Sequence, residues 1–360
     1  MTLPKTMRAM VTMGHGDLDQ MVLHPDWPRP DPAPGEVLIR VGACGLNNTD
    51  VNTRSGWYSK TVSDATTGGA FAEVGEDDPT WGGAPITFPR IQGADVCGEI
   101  VAVGDGVDPS RIGERVITDG WLRDPDDLLN KDKSGYFGSE RDGGFAEYTT
   151  TPARNALPIK SPLSDAELAT FSCSYSTAEG MLTRAQVSAG DTVLVPGASG
   201  GVGGALVQLA KRRGARVIAM AAEGKHEAVR ALGPDRILPR APGDLRAALG
   251  DEKITVVADV VGGPYWPHLI DILERGGRYT CSGAIAGPMV ALDLRTFYLR
   301  DLTFTGSTVI DPEVMPNIVR YIEAGEIKPA LAATYPLEEL REAQAAFIAK
   351  THSGNIVVTP

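Results

Sequence analysis

The sequence predicts an α/β protein in which a doubly wound parallel sheet is joined to a second, β-rich unit. Three observations carry that prediction. From Asp191 onward, strand-like apolar runs alternate with helix-length segments, the pattern of a parallel sheet covered on both faces. In the first third the apolar runs are short, β-branched and separated by Pro and Gly, an all-β pattern. The third is a glycine-rich segment, Gly197-Ala-Ser-Gly200-Gly201-Val-Gly203, set directly between a strand and a helix. A chain of 360 residues is long for one hydrophobic core, so two domains are expected.

In chain order, Val37-Leu-Ile-Arg-Val41, Gly98-Glu-Ile-Val-Ala-Val103 and Arg115-Val-Ile-Thr118 read as strands, with a turn at Pro32-Ala-Pro-Gly35. Two polar stretches interrupt them, 58–90 and 119–142, and read as long surface loops. With Trp57 at the border of the first, they carry Trp81 and Trp121, and form either a lid over a substrate or an oligomer contact. Ser164-Asp-Ala-Glu167 has capping-box spacing and opens a helix through Ala169, followed by a second helix around Thr177. Thr192-Val-Leu-Val195 is a buried strand, and 201–213 is a helix with apolar residues at Val202, Ala205, Leu206 and Leu209. Strands at 216–220, 256–260 and 277–281 then alternate with helices at 225–232 and 268–274. Helices at 313–324 and 337–350 and a last strand at 355–358 complete the chain.

The glycine loop gives the first functional expectation. Glycines at 197, 200 and 203 permit a tight turn, close backbone approach to a pyrophosphate, and close helix–sheet packing. The helix N-terminus adds free N–H groups and the positive end of a dipole. The segment therefore reads as a dinucleotide-binding turn. The end of the second strand, Met220-Ala-Ala-Glu-Gly-Lys225, decides between cofactors. Ala221 stands where an NAD enzyme needs a carboxylate for the ribose, which leaves room for a 2′-phosphate. Lys225 and Arg240 could face that phosphate, a guanidinium pairing with it through two hydrogen bonds. Against this, Glu223 could serve the ribose of NAD, and Lys225 could be a solvated helix-start residue. The balance favours NADP(H).

Composition narrows the classes. A net charge of −12 repels nucleic-acid phosphates and anionic lipid, so neither nucleic acid nor membrane is an expected partner. The N-terminus lacks a signal-peptide apolar run and no stretch approaches 18 apolar residues, so the sequence reads as cytoplasmic. Cys44, Cys97, Cys173 and Cys281 form no CxxC pair and read as reduced, mostly buried thiols.

A wider set of motifs joins the glycine loop: Ala43-Cys-Gly-Leu-Asn-Asn-Thr-Asp50, Arg54-Ser-Gly-Trp-Tyr58, Gly93-Ala-Asp-Val-Cys-Gly98, Val101-Ala-Val-Gly104 and Gly113-Glu-Arg-Val116. Further along stand Gly143-Gly-Phe-Ala-Glu-Tyr148, Leu292-Asp-Leu-Arg-Thr-Phe-Tyr298 and Ala324-Gly-Glu-Ile-Lys-Pro329. With these motifs the chain resembles the medium-chain dehydrogenase/reductase superfamily, and within it the zinc-free quinone oxidoreductase, zeta-crystallin-like, branch. The resemblance implies a GroES-like catalytic domain, 1–165 with a return at 309–360, around a Rossmann domain at 166–308. It also implies a cleft holding the nicotinamide, and a homodimer or homotetramer.

Zinc alcohol dehydrogenases of the superfamily hold catalytic zinc with Cys, His and Cys. Here Asn47 and Ala94 take the first two places and only Cys173 keeps the third, so no metal is expected. The four-cysteine structural lobe is missing too. Without a Lewis acid the acceptor expected is a quinone or an α,β-unsaturated carbonyl, whose reduction spreads charge over a phenolate or enolate. The resemblance implies Asn47, Asp50, Tyr58 and Thr177 as the catalytic set. Asn47 and Asp50 could instead satisfy a turn. Tyr58 precedes a long insertion that could displace it, and Tyr175 is a second candidate that could equally be core. Asn52 stands where a relative has another tyrosine, which puts quinone specificity in doubt. The cofactor contacts expected are Gly197, Ser199, Gly200, Gly201, Val202, Gly203, Ala221, Lys225, Arg240, Ser282 and Asn355. The competing functions are a zinc-dependent alcohol dehydrogenase and a non-enzymatic NADPH-binding protein.

Overall fold

A computed structural model describes residues 3–71 and 85–360. The expected loop 58–90 therefore lies partly outside the described residues, and Trp81 with it.

Among the described residues, the first part of the chain is β apart from one α-helix and a few 3₁₀ turns. In order it contains β1 (Thr6–Thr12), β2 (Met21–Pro28), β3 (Glu36–Gly45), α1 (Asn48–Ser55), β4 (Arg90–Ile91), β5 (Asp95–Val103) and β6 (Arg115–Thr118). A short hairpin follows, β7 (Trp121–Leu122) with β8 (Gly135–Tyr136), then β9 (Tyr148–Pro152) and β10 (Ala156–Pro158). The helices α2 (Asp165–Leu168) and α3 (Ser172–Arg184) lead into the second part. There β11 (Thr192–Val195), α4 (Gly201–Arg212), β12 (Arg216–Ala221), α5 (His226–Arg230), β13 (Arg236–Pro239), α6 (Leu245–Leu249) and β14 (Ile254–Asp259) alternate. Then come α7 (Trp266–Asp271), β15 (Leu273–Cys281), α8 (Leu294–Tyr298), β16 (Thr303–Gly306) and α9 (Val314–Glu323). The chain closes with β17 (Leu331–Pro336), α10 (Leu340–Ala349) and β18 (Asn355–Thr359).

The second part holds a six-stranded parallel sheet in the order β13-β12-β11-β14-β15-β16. This is the doubly wound order, with its switch point between β11 and β14. Val193, Leu194 and Val195 of β11 are fully buried, as a central strand covered on both faces requires. The first part is built on a seven-stranded sheet, β10-β6-β5-β3-β18-β17 with β9 on β3. Strand β18 thus brings the C-terminus back beside β3, antiparallel through Val357↔Gly45 and Val358↔Cys44. That return sets the last residues next to the glycine loop: the Gly354 N–H donates to the Ser199 carbonyl at 2.9 Å. No helix among the described residues is long and apolar enough to cross a membrane.

Several expected elements shift. The helix placed at 268–274 is Trp266–Asp271, started early by Pro267, which suits the first turn, and Glu274 already belongs to β15. The helix at 225–232 is a 3₁₀ turn followed by His226–Arg230, and the one at 337–350 also begins with a 3₁₀ turn, so α10 starts at Leu340. The capping box at Ser164 forms as expected, with the Ser164 N–H donating to Glu167 Oε2 at 2.8 Å. The largest correction concerns 119–142. It is not simply a polar surface loop, because Trp121 and Tyr136 pair across the β7–β8 hairpin and are 5% and 6% exposed.

Candidate active site

A cleft of about 740 Å³ opens at the switch point. Its floor is the glycine loop. Gly197 has φ +67, the left-handed conformation that favours glycine. A Cβ on Gly203 would sit 2.2 Å from the Gly197 carbonyl, so only glycine lets α4 start this close to β11. Gly201 is also crowded, though by side chains: its Cβ would meet Asn355 Oδ1 at 2.0 Å. Gly200 differs. It is the N-cap of α4, and a Cβ there would meet nothing nearer than 3.6 Å. This cradle, lined by Gly197, Ser199, Gly200, Gly201, Val202 and Gly203, fits a dinucleotide pyrophosphate at a helix N-terminus. Ser282, just after β15, and Asn355 line the same cleft. Asn355 also donates to the Thr170 carbonyl at 2.6 Å, tying the return strand to the turn before α3.

One end of the cleft is basic. Ala221, Lys225 and Arg240 line it as expected, while Glu223 is exposed and is not among the lining residues. Lys225 is not a solvated residue. Its Nζ donates to the carbonyls of Lys350 and His352, both at 2.6 Å, so it bridges the parallel-sheet unit and the returning chain. Lys350 and His352 line the same end of the cleft. The Lys350 ammonium lies 3.7 Å from the Phe347 ring centroid and donates to Asn48 Oδ1 at 3.0 Å. Lys350 is open to the cleft, yet protein crowds its ammonium; this desolvation, with the charge of Lys225, lowers its pKa to about 8. Burial and the same two ammoniums push His352 down to about 4, so it is neutral at pH 7. Lys225, Arg240 and Lys350 form no ion pair with a carboxylate among the described residues. This end has the charge to hold an anionic group such as a phosphate.

The other end carries hydroxyl, amide and thiol groups. Asn47, Tyr58 and Thr177 line it, with Trp57, Trp121 and Tyr136 as aromatic walls. Tyr58 is half-buried on the cleft, where Asn52 hydrogen-bonds to its hydroxyl. Asp50 is a correction: it does not line the cleft. Its carboxylate closes the first turn of α1, accepting the Asn47 N–H at 2.8 Å and the Gly93 N–H at 3.1 Å. Tyr175 is core, 1% exposed, its hydroxyl donating to the Lys328 carbonyl and accepting from Gln208 Nε2 at 2.7 Å.

Behind this end lie two buried carboxyls. Burial raises the pKa of Asp50, and burial with the charge of Asp50 raises that of Asp95. Asp95 Oδ1 accepts the Cys173 N–H at 2.9 Å; Asp95 Oδ2 and Asn47 Nδ2 are buried without a well-formed hydrogen bond. Burial also raises the Cys173 pKa, keeping it a thiol, beside the Tyr136 and Thr177 hydroxyls. This donor set does not fit catalytic zinc: of the three positions one holds an amide and one the methyl of Ala94, which leaves Cys173 as a single protein ligand where three are needed. Tyr136, Lys350 and His352 are cleft residues that the sequence reading missed.

Comparisons with known proteins follow the same outline. The alcohol dehydrogenase GroES-like domain model matches residues 33–161, and the zinc-binding dehydrogenase model matches residues 201–324. Acryloyl-coenzyme A reductase of Metallosphaera sedula is 28% identical, covering 98% of this chain and 100% of that protein. Quinone oxidoreductase of Rattus norvegicus is 27% identical, over 94% of this chain and 93% of that one. A Sinorhizobium meliloti 1021 protein, solved under a provisional alcohol dehydrogenase assignment, is 48% identical with a TM-score of 0.89, covering 99% of this chain and 98% of its own.

Proposed function

Since the chain belongs to the medium-chain dehydrogenase/reductase superfamily, we propose that it is an NADPH-dependent reductase of quinones or α,β-unsaturated carbonyls that works without catalytic zinc. The observation that carries the reading is the composition of one cleft: a glycine cradle, a basic end without carboxylates, and a hydroxyl-lined end whose donors do not suit zinc.

Bound NADPH supplies a hydride from its nicotinamide ring. The protein's part is to position, exclude water and stabilise charge. Gly200 and the first turn of α4 hold the pyrophosphate, while Arg240, Lys225 and Lys350 hold the ribose phosphate. Asn355 and Ser282 fix the floor between them. Trp57 and Trp121 flank the acceptor and limit water at the polar end, which strengthens each hydrogen bond made there. Tyr58 and Thr177 are the hydroxyls placed to donate to the acceptor oxygen. Asn47 is a positioning residue held by Asp50 through its backbone N–H. An activated acceptor suits this set, because its charge spreads over an enolate or phenolate that neutral donors can hold.

The experiment is a panel of quinones, enones, enoyl thioesters and aldehydes, each followed by NADPH and NADH oxidation. Turnover of the first three classes with NADPH preferred supports the reading; a strong NADH preference overturns the cofactor assignment, and turnover of simple alcohols and ketones alone overturns the acceptor class. We also propose a dimer or tetramer. It is supported by β16 at the edge of the parallel sheet beside exposed Met289, Leu294, Tyr298 and Leu299. A purely monomeric mass by light scattering speaks against it.

A further inference from the structure

We propose that Tyr136 is a further catalytic residue, its hydroxyl resting on Cys173 and turning to the acceptor oxygen as charge develops there. This rests on the reductase reading above.

Four observations carry it. First, Tyr136 lines the cleft together with Tyr58, Cys173 and Thr177. It therefore reaches the same pocket from a third element, the β8 strand of the hairpin.

Second, the hairpin is built to hold that ring still. Trp121 and Tyr136 are paired across it and stack edge to face at 4.9 Å. The Tyr136 N–H donates to Glu140 Oε2 at 2.7 Å, and the Phe137 N–H donates to the Gly120 carbonyl at 2.9 Å. Beneath it lies a buried ion pair, Arg123 to Asp119 at 2.6 Å, both under 9% exposed. Asn155 Nδ2 donates to the carbonyls of Asp119 and Trp121 at 2.9 and 2.8 Å. A site residue needs this kind of support to act within a fraction of an ångström.

Third, the space for the hydroxyl is set aside. A Cβ on Gly120 would come within 3.2 Å of the Tyr136 oxygen and 3.0 Å of its ring. Fourth, one resting partner of the hydroxyl is weak. It reaches the Cys173 sulfur, and a thiol sulfur is a poor acceptor. Exchanging that contact for a charged oxygen gains a strong hydrogen bond. Burial also keeps the phenol protonated far beyond neutral pH, so it is a donor throughout the working range.

The chemistry balances without any proton leaving the tyrosine. As the acceptor's β-carbon gains a hydride from NADPH, the carbon–carbon π pair moves toward the carbonyl and charge settles on its oxygen. The Tyr136 O–H donates to that oxygen and remains a phenol. The proton that completes the saturated product comes from water.

The test uses the purified full chain with NADPH and an enone. Tyr136→Phe is expected to lower kcat about 100- to 1,000-fold, the usual loss for one oxyanion donor, with KM, NADPH affinity and melting temperature unchanged. Gly120→Ala, which displaces the hydroxyl but keeps it, is expected to lower kcat in the same direction. Cys173→Ser supplies a stronger resting acceptor; it is expected to slow the enzyme alone and to add nothing in the Tyr136→Phe background. Wild-type turnover with Tyr136→Phe within a few-fold of it overturns this proposal alone. A parallel loss of NADPH affinity also overturns it, as the mark of a structural role. A wild-type protein that binds NADPH but reduces no enone or quinone overturns the reductase reading and this proposal with it.

Discussion

Gly200→Asp separates folding from cofactor binding. Gly200 has φ −84 and ψ 172, an extended conformation open to any residue, and it is the N-cap of α4. Aspartate is among the preferred N-cap residues, and its Cβ would meet no atom closer than 3.6 Å. The fold should therefore accept it, with an unchanged or slightly raised melting temperature. The new carboxylate would, however, stand in the phosphate cradle. One added charge about 5 Å from one phosphate charge, at an effective dielectric of about 20, costs about 3 kcal/mol. That is a loss of roughly 200-fold in affinity, equal for NADPH and NADH because both carry the pyrophosphate. Gly203→Ala is the contrast: its Cβ would meet the Gly197 carbonyl at 2.2 Å, so it should lower stability itself. Titration of intrinsic tryptophan fluorescence with each cofactor, beside thermal melts, reads both quantities. A folded Gly200→Asp protein that binds NADPH as tightly as wild type refutes the placement of the pyrophosphate.

Three other outcomes follow from the same structure. Lys350→Met should weaken NADPH about tenfold, the scale of one charge-assisted hydrogen bond, and leave NADH unchanged; calorimetric titration with 2′,5′-ADP checks it. The pH dependence has a definite sign: a phosphate favours the charged ammonium, so binding takes up a proton once Lys350, with its pKa of about 8, has begun to lose its own. NADPH affinity should hold below pH 8 and decline above it, whereas NADH affinity should not, and Lys350→Met should remove the difference. Arg123→Met should leave Asp119 buried without its partner and cost about 3 kcal/mol or more by denaturant unfolding.

What could be read from the residues follows the range of the interactions. The glycine loop was legible because its strand, turn and helix are contiguous and each glycine answers a local constraint. Ala221 and Lys225 were legible for the same reason, as neighbours at the end of one strand. Lys350 was not: it joins Lys225 across 125 positions, and alone it reads as the last residue of a helix. The hairpin at β7 and β8 was hidden by its composition. Asp119, Arg123 and Asn155 read as solvent-facing residues, yet they satisfy one another inside the protein and leave Trp121 and Tyr136 buried. Asp50 shows the opposite error. Its place in a familiar motif suggested the cleft, whereas the spacing Asn47 to Asp50 is that of a capping box and sends the carboxylate to backbone N–H groups.

The central claim is reduction of an activated acceptor by NADPH without zinc. Its most direct measurement is the rate of NADPH oxidation with an enone and a quinone, on protein whose metal content has been determined before and after chelation. Full activity at substoichiometric zinc, unchanged by the chelator, is the expected result. Activity that appears only with stoichiometric zinc bound would contradict it.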